Sequence, residues 1–82
     1  MSEVTFYGAD WCSDCRRSKS LLNTLDVDFD LKDVEEQSNA DAAQAIAGRK
    51  NIPVIQFADG EFLVEPSDPE LHAALVARGL AK

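Results

Sequence analysis

The spacing of apolar and polar residues along the chain predicts a series of short strands and helices. Residues 27–31 read Val-Asp-Phe-Asp-Leu, and this alternation with a period of two is typical of a half-buried strand. Residues 16–25 have the spacing of an amphipathic helix instead. Further strands are predicted at residues 4–7, 54–57 and 62–64, and further helices at residues 40–47 and between residues 67 and 79. The predicted order is therefore βαβαββα.

Turn and cap residues support these boundaries. Asp59-Gly60, between the last two strands, is a strong hairpin signal. Ser67 and Glu70 have the spacing of a capping box, which is typical of the first turn of a helix. The remaining markers are the pair Ser38 and Asp41, which resembles a capping box, and Gly48, which closes the second predicted helix.

Composition narrows the class of protein. The chain has 82 residues, of which 45% are hydrophobic, and this predicts one domain, residues 1–82, with a single core. No targeting segment begins the chain, and no apolar stretch approaches the roughly 18 residues that a membrane span needs. The net charge of −7 makes nucleic acid and anionic membranes poor partners. We therefore expect a cytoplasmic, monomeric protein.

Cys12 and Cys15 are the only cysteines, and they lie where a strand turns into a helix. A Cys-x-x-Cys pair in that context predicts a thioredoxin-like redox site. The N–H groups at the start of the helix stabilise negative charge on Cys12, and the thiolate is the form that attacks disulfides. Cys15 follows nearly one turn later, where its sulfur can displace a substrate held on Cys12. Cys12 is the predicted nucleophile and Cys15 the resolving thiol; a structural disulfide would close too short a loop to stabilise the fold.

Three kinds of side chain surround the pair, and each has two interpretations. Asp14 is expected to oppose thiolate formation, or it is only an acid suited to the first turn of a helix. Arg16 and Arg17 either bind an anionic substrate or are simply solvated charges on the exposed face of the helix. Trp11 either stacks next to the redox pair and binds substrate, or is a core or rim aromatic that only shields the sulfurs from water.

These residues together resemble the glutaredoxin branch of the thioredoxin superfamily. The shared features are the element order, Trp11-Cys12-x-x-Cys15, and Ile52-Pro53 before an antiparallel hairpin. The resemblance implies an α/β thioredoxin-like fold, with a four-stranded mixed sheet flanked by three helices, and a thiol-disulfide oxidoreductase. In that family the proline is cis and faces the cysteine pair, and the backbone of the preceding residue binds an extended substrate or thiol tripeptide. These roles are carried over to Pro53 and Ile52.

The chain also shares the Tyr7-x-x-x-Trp11-Cys12 opening, Phe57-Ala58-Asp59-Gly60 and Pro66-Ser67 with the small actinobacterial glutaredoxin-like proteins called mycoredoxins, which it therefore resembles most within the family. The similarity implies that no cofactor is bound and that mycothiol, or another low-molecular-weight thiol with its reductase, is the co-substrate. Protein disulfides or mixed disulfides are the expected substrates. Ser67 and Asp68 match residues at the ligand site of the family, although they also suit a helix cap. Lys50 falls where family members often have a cationic ligand contact, although a solvated loop is an equal alternative.

The chain departs from the glutathione-using members at two places. Ala9 stands where those proteins commonly have a lysine, and Glu65-Pro66 stands near the place of their Gly-Gly. Other classes remain as alternatives: a redoxin driven by thioredoxin reductase, a cluster-binding protein, or a non-catalytic interaction module. A metal site within the chain is not expected, because the single histidine, His72, lies in the last predicted helix and suits a surface or packing role.

Overall fold

A computed structural model describes residues 3–81 and contains, within them, the predicted order of four strands and three helices. In chain order the elements are β1 (Val4–Gly8), α1 (Ser13–Thr24), β2 (Asp30–Asp33), α2 (Gln37–Ala47), β3 (Val54–Phe57), β4 (Phe62–Val64) and α3 (Asp68–Ala77). The sheet order is β2-β1-β3-β4. β1 runs parallel to β2 and antiparallel to β3, and β4 pairs antiparallel with β3. The predicted mixed sheet is confirmed.

The central strand β1 directs side chains to two separate cores, because successive residues of a strand point to opposite faces. Phe6 packs on one face with residues of α1 and α3, among them Leu22 and Leu71. Tyr7 packs on the other face with Ala43 of α2. Burying a large apolar side chain such as Phe6 contributes about 1.5–3 kcal/mol. The two helix layers therefore fix β1, whose last residue leads into the cysteine turn.

The second strand is displaced from its predicted position at residues 27–31, and that prediction is wrong. β2 covers Asp30–Asp33, and all four of its residues are exposed. Val27 is buried and Phe29 packs against Phe6, with ring centroids 5.8 Å apart, but both precede the strand. The alternating apolar residues thus anchor the connection from α1, while β2 itself is an edge strand held by β1.

The second helix also begins before its predicted start. α2 starts at Gln37, and its N-cap Glu36 makes no side-chain cap hydrogen bond. Asp41 lies inside the helix and accepts a hydrogen bond of 2.8 Å from the Gln37 side chain. The predicted capping box of Ser38 and Asp41 is therefore wrong, because both residues lie inside the helix and Glu36 is its N-cap.

The last two boundary signals are confirmed. Ser67 caps α3 in a full capping box with Glu70, and Pro69 lies in the first turn. In the β3–β4 hairpin the Asp59 side chain accepts a hydrogen bond of 2.9 Å from the Glu61 N–H. None of the helices among residues 3–81 is long and apolar enough to cross a membrane.

Candidate active site

The cysteine pair lies between β1 and α1, on the first turn of the helix. Cys12 is the N-cap residue, with extended backbone angles of φ −88° and ψ 119°. Its sulfur accepts a hydrogen bond of 3.3 Å from the Cys15 N–H, and its carbonyl accepts one of 3.0 Å from the Arg16 N–H. The helix therefore starts directly after Cys12, as expected for a Cys-x-x-Cys pair that opens a helix, and it directs an N–H group that would otherwise lack a partner at the Cys12 sulfur.

The two cysteines differ in exposure, and burial changes the acidity of Cys15. They lie 3.0 Å apart, and both are free thiols. Cys12 is half-buried, whereas Cys15 is only 2% exposed. The pKa of Cys15 rises from 9.0 to about 12, first because burial disfavours its charged form and second because it hydrogen-bonds to Cys12. Only Cys12 is thus open to an incoming disulfide, while Cys15 keeps its proton at neutral pH.

Gly8 makes room for the buried sulfur, and the sequence interpretation missed this role. A Cβ at Gly8 would lie 2.9 Å from the Cys15 sulfur and 2.6 Å from a ring carbon of Phe6. Such distances are too short for a methyl group, so a side chain would displace one of its neighbours. A glycine that ends a buried strand just before the motif was the available signal.

The Ile52–Pro53 peptide bond is cis, as the family resemblance implies. Pro53 is buried, and its carbonyl accepts a hydrogen bond of 2.9 Å from the Glu65 N–H. Ile52 packs against the same core cluster as Cys12. The structure therefore brings the loop before β3 up to the apolar cluster around the cysteine pair.

An open groove of about 560 Å³ adjoins this loop and brings together Trp11, Lys50 and Ile52, three of the predicted binding residues. Trp11 is 66% exposed, and its indole N–H donates a hydrogen bond of 2.8 Å to Glu35. Trp11 is therefore a rim residue and not a core aromatic. The helix α2 and the loop after it add polar side chains to the lining, chiefly Gln37, Gln44 and Arg49.

Ser67 and Asp68 lie outside that groove, at the N-terminus of α3. Ser67 is engaged in the capping box. The Asp68 carboxylate lies 3.5 Å from the Arg17 Nε, and the same guanidinium lies 3.2 Å from the Asp14 carboxylate. Arg17 therefore connects Asp68 with the cysteine turn, a contact that the sequence interpretation missed because 51 residues separate the partners in the chain.

Metal-ligating side chains are sparse at this site. Within residues 3–81 no three or more His, Cys, Asp or Glu side chains are grouped so that they could hold a metal ion. Cys12 and Cys15 supply the two thiol groups, and His72 lies half-buried on α3. A four-ligand cluster here would need donors from outside the chain.

Comparison with known proteins places this geometry in context. The family model described as Glutaredoxin matches residues 4–63. Mycoredoxin 1 of Corynebacterium glutamicum is 35% identical over 80 residues, which cover 94% of this chain and 98% of that protein. A glutaredoxin structure from Archaeoglobus fulgidus superposes with a TM-score of 0.79 at 23% identity, covering 89% of this chain and 85% of that one. A buckwheat glutaredoxin–glutathione complex superposes with a TM-score of 0.68 at 21% identity, covering 99% and 83%. The predicted thioredoxin-like fold is confirmed.

Proposed function

Because the chain belongs to the glutaredoxin family of thiol oxidoreductases, we propose that it reduces mixed disulfides and protein disulfides through Cys12 and Cys15, with mycothiol as the recharging thiol. The observation that carries this proposal is the asymmetry of the pair. Cys12 is half-buried at a helix N-terminus, and Cys15 is buried 3.0 Å away with a raised pKa. This asymmetry supports Cys12 as the sulfur that attacks the substrate disulfide and Cys15 as the sulfur that resolves the intermediate.

The first step transfers a small thiol onto the enzyme. The Cys12 thiolate attacks the small-thiol sulfur of a mixed disulfide with a protein, and the protein cysteine leaves as a thiolate that takes up a proton. The S–S bond of the substrate breaks while a new S–S bond forms to Cys12. The Cys15 N–H, 3.3 Å from the Cys12 sulfur, stabilises the charge on Cys12 before the attack.

Two routes then release the small thiol. In the monothiol route a second small thiolate attacks the bound one, so that a small-molecule disulfide leaves and the Cys12 thiolate returns. In the dithiol route the Cys15 sulfur attacks Cys12, a Cys12–Cys15 disulfide forms, and the bound thiol leaves as a thiolate that takes up the proton of Cys15. Two molecules of the small thiol then reduce this disulfide and leave as a small-molecule disulfide. The short distance between the cysteines supports the dithiol route. The buried state of Cys15 supports the monothiol route when small thiol is abundant.

Several features favour mycothiol over glutathione as the recharging thiol. Ala9 supplies no cation where glutathione users commonly have one. The lining of the groove beside Trp11 includes the amide side chains of Gln37 and Gln44, which suit hydroxyl groups, next to the cations of Arg49 and Lys50. The similarity to Mycoredoxin 1 supports the same choice.

The first experiment measures NADPH oxidation during turnover of a small mixed disulfide, in three parallel arms. One arm contains mycothiol and its reductase, the second glutathione and its reductase, and the third thioredoxin reductase alone. We expect turnover in the mycothiol arm. Turnover with thioredoxin reductase alone would instead identify a redoxin for protein disulfides. No NADPH oxidation in any of the three arms would contradict the proposed activity.

Two variants test the roles of the sulfurs. Cys12→Ser should abolish turnover of every disulfide, because the serine hydroxyl does not form the attacking anion near neutral pH. Cys15→Ser should keep the release of small thiols from mixed disulfides but lose the reduction of protein disulfides. Equal loss in both variants would rule out the monothiol route, and normal turnover by Cys12→Ser would indicate a non-catalytic pair.

A further inference from the structure

One side chain, Arg17, connects the cysteine turn to the start of α3. Its guanidinium lies 3.2 Å from the Asp14 carboxylate and 3.5 Å from that of Asp68. It also donates a hydrogen bond of 3.2 Å to the Pro66 carbonyl. Three contacts from one planar group hold it in a single orientation, although its side chain is 47% exposed. Isolated exposed ion pairs are weak, but a shared guanidinium forms a small network.

Arg17 lies between two acids, Asp14 on the cysteine turn and Asp68 at the start of α3. Asp14 lies two residues from Cys12, and its charge contributes to raising the pKa of Cys15. Asp68 Oδ1 is a buried atom without a hydrogen-bond partner, so the nearby guanidinium compensates its charge through space. Arg16, the neighbour of Arg17, contacts neither acid; its guanidinium donates a hydrogen bond of 3.5 Å to the Asp10 carbonyl instead.

We propose that Arg17 determines the charge preference for the thiol that is held on Cys12. By offsetting Asp14 and Asp68, it lets the site accept thiols whose remaining part is uncharged or anionic. Without it, the carboxylates of Asp14, on the cysteine turn, and of Asp68, at the start of α3, would be uncompensated and would favour thiols that carry an ammonium group. This inference rests on the proposed function, since it concerns the choice of small thiol in that reaction.

Three thiols of nearly equal size give a direct test. Cysteamine, 2-mercaptoethanol and 3-mercaptopropionate end in an ammonium, a hydroxyl and a carboxylate group. Each is attached by a disulfide to the same cysteine peptide, and kcat/KM for its release is measured at low salt. The proteins are the wild type, Arg17→Gln, the matched control Arg16→Gln, and Arg17→Lys.

Arg17→Gln should raise the ratio of cysteamine to mercaptoethanol release about fivefold, the size that an ion pair of about 1 kcal/mol gives. It should lower the relative release of mercaptopropionate. Arg16→Gln should shift either ratio less than about twofold, and Arg17→Lys, which keeps the charge, should stay close to the wild type. High salt should reduce the shift, because it screens these half-exposed charges.

The outcomes separate this inference from the proposed function. Unchanged ratios in Arg17→Gln, or equal shifts in Arg16→Gln, would overturn the role of Arg17 while leaving the enzyme activity established. Circular dichroism of Arg17→Gln checks that a shift does not arise from a damaged fold. No release by the wild type from any of the three peptides would overturn the proposed function, and this inference with it.

Discussion

The floor beneath the cysteine pair and the rim around it are built in different ways. The floor consists of Phe6, Gly8 and Cys15, all buried and in tight contact. The rim consists of exposed or half-exposed side chains held by polar contacts, chiefly Trp11 with Glu35 and Asp68 with Arg17, together with Lys50. In the proposed function, the floor determines which sulfur attacks, and the rim determines which thiol approaches it.

This difference predicts that substitutions in the two regions affect separate properties. Packed cores tolerate added volume poorly, so changes in the floor should lower the free energy of unfolding. Exposed ion pairs and hydrogen bonds contribute little to stability, so changes in the rim should leave the fold intact. They should appear instead in the KM for the small thiol.

The largest effect is expected from Gly8→Ala, in the floor. The added methyl group would lie 2.9 Å from the Cys15 sulfur and 2.6 Å from the Phe6 ring. Overpacking of this kind typically costs about 1–3 kcal/mol. Urea unfolding of the reduced protein, followed by circular dichroism, measures the loss. A free energy of unfolding equal to that of the wild type would contradict the tight floor.

The double variant Gly8→Ala with Cys15→Ala serves as the control. Replacing Cys15 removes the sulfur, so the methyl group should then cost less, although its contact with Phe6 remains. The difference between the two costs isolates the contact between residue 8 and the sulfur. An identical cost in both backgrounds would assign the strain to Phe6 alone.

A smaller effect concerns pH, through Cys15. The unfolded thiol loses its proton near pH 9.0, whereas burial raises the pKa of the folded Cys15 to about 12. Protonated Cys15 therefore makes its full contribution to the free energy of unfolding below pH 9. This contribution is lost as the pH rises from 9 towards 12, because the unfolded thiol ionises before the buried one. Between pH 9 and about 10.5 the reduced wild type should lose about 1–2 kcal/mol more than Cys15→Ser does. Parallel losses in the two proteins, measured by urea unfolding, would contradict the raised pKa.

The fold could largely be predicted wherever the signals were local. The hairpin at Asp59-Gly60 and the capping box of Ser67 and Glu70 depend on neighbouring residues, and both are confirmed. The second strand was misplaced because Val27 and Phe29 owe their burial to α1 and β1 rather than to a sheet of their own. Pairing with β1 determines where an exposed edge strand begins, and no short sequence window contains that information.

The candidate site, too, could be predicted only where its signals were local. The Cys-x-x-Cys pair can be recognised from four residues of sequence, and the cis peptide bond before Pro53 was implied by the family resemblance. The contacts between side chains on the rim could not be recognised in the sequence. Glu35 is 24 residues from Trp11, and Pro66 is 49 residues from Arg17. Chain folding brings these partners together, so charge and residue type at one position could not reveal them.

The smallest effect is expected on the rim, from Glu35→Ala. The carboxylate accepts a hydrogen bond of 2.8 Å from the Trp11 indole, while the Glu35 N–H is held separately by Asp33. The variant should therefore release the indole without disturbing the turn. An exposed hydrogen bond worth about 0.5 kcal/mol corresponds to an approximately twofold rise in the KM for the small thiol. The free energy of unfolding should change by less than about 0.5 kcal/mol.

Trp11 is the only tryptophan of the chain, so tryptophan fluorescence reports on the surroundings of this one indole. Emission and acrylamide quenching should change in Glu35→Ala but not in Glu36→Ala, the matched control, whose carboxylate binds the Asn39 side chain instead. An altered KM with unchanged fluorescence would mean that Glu35 acts through its charge and not through the indole. A large loss of stability in Glu35→Ala would show that the rim supports the fold, and the division between floor and rim would then fail.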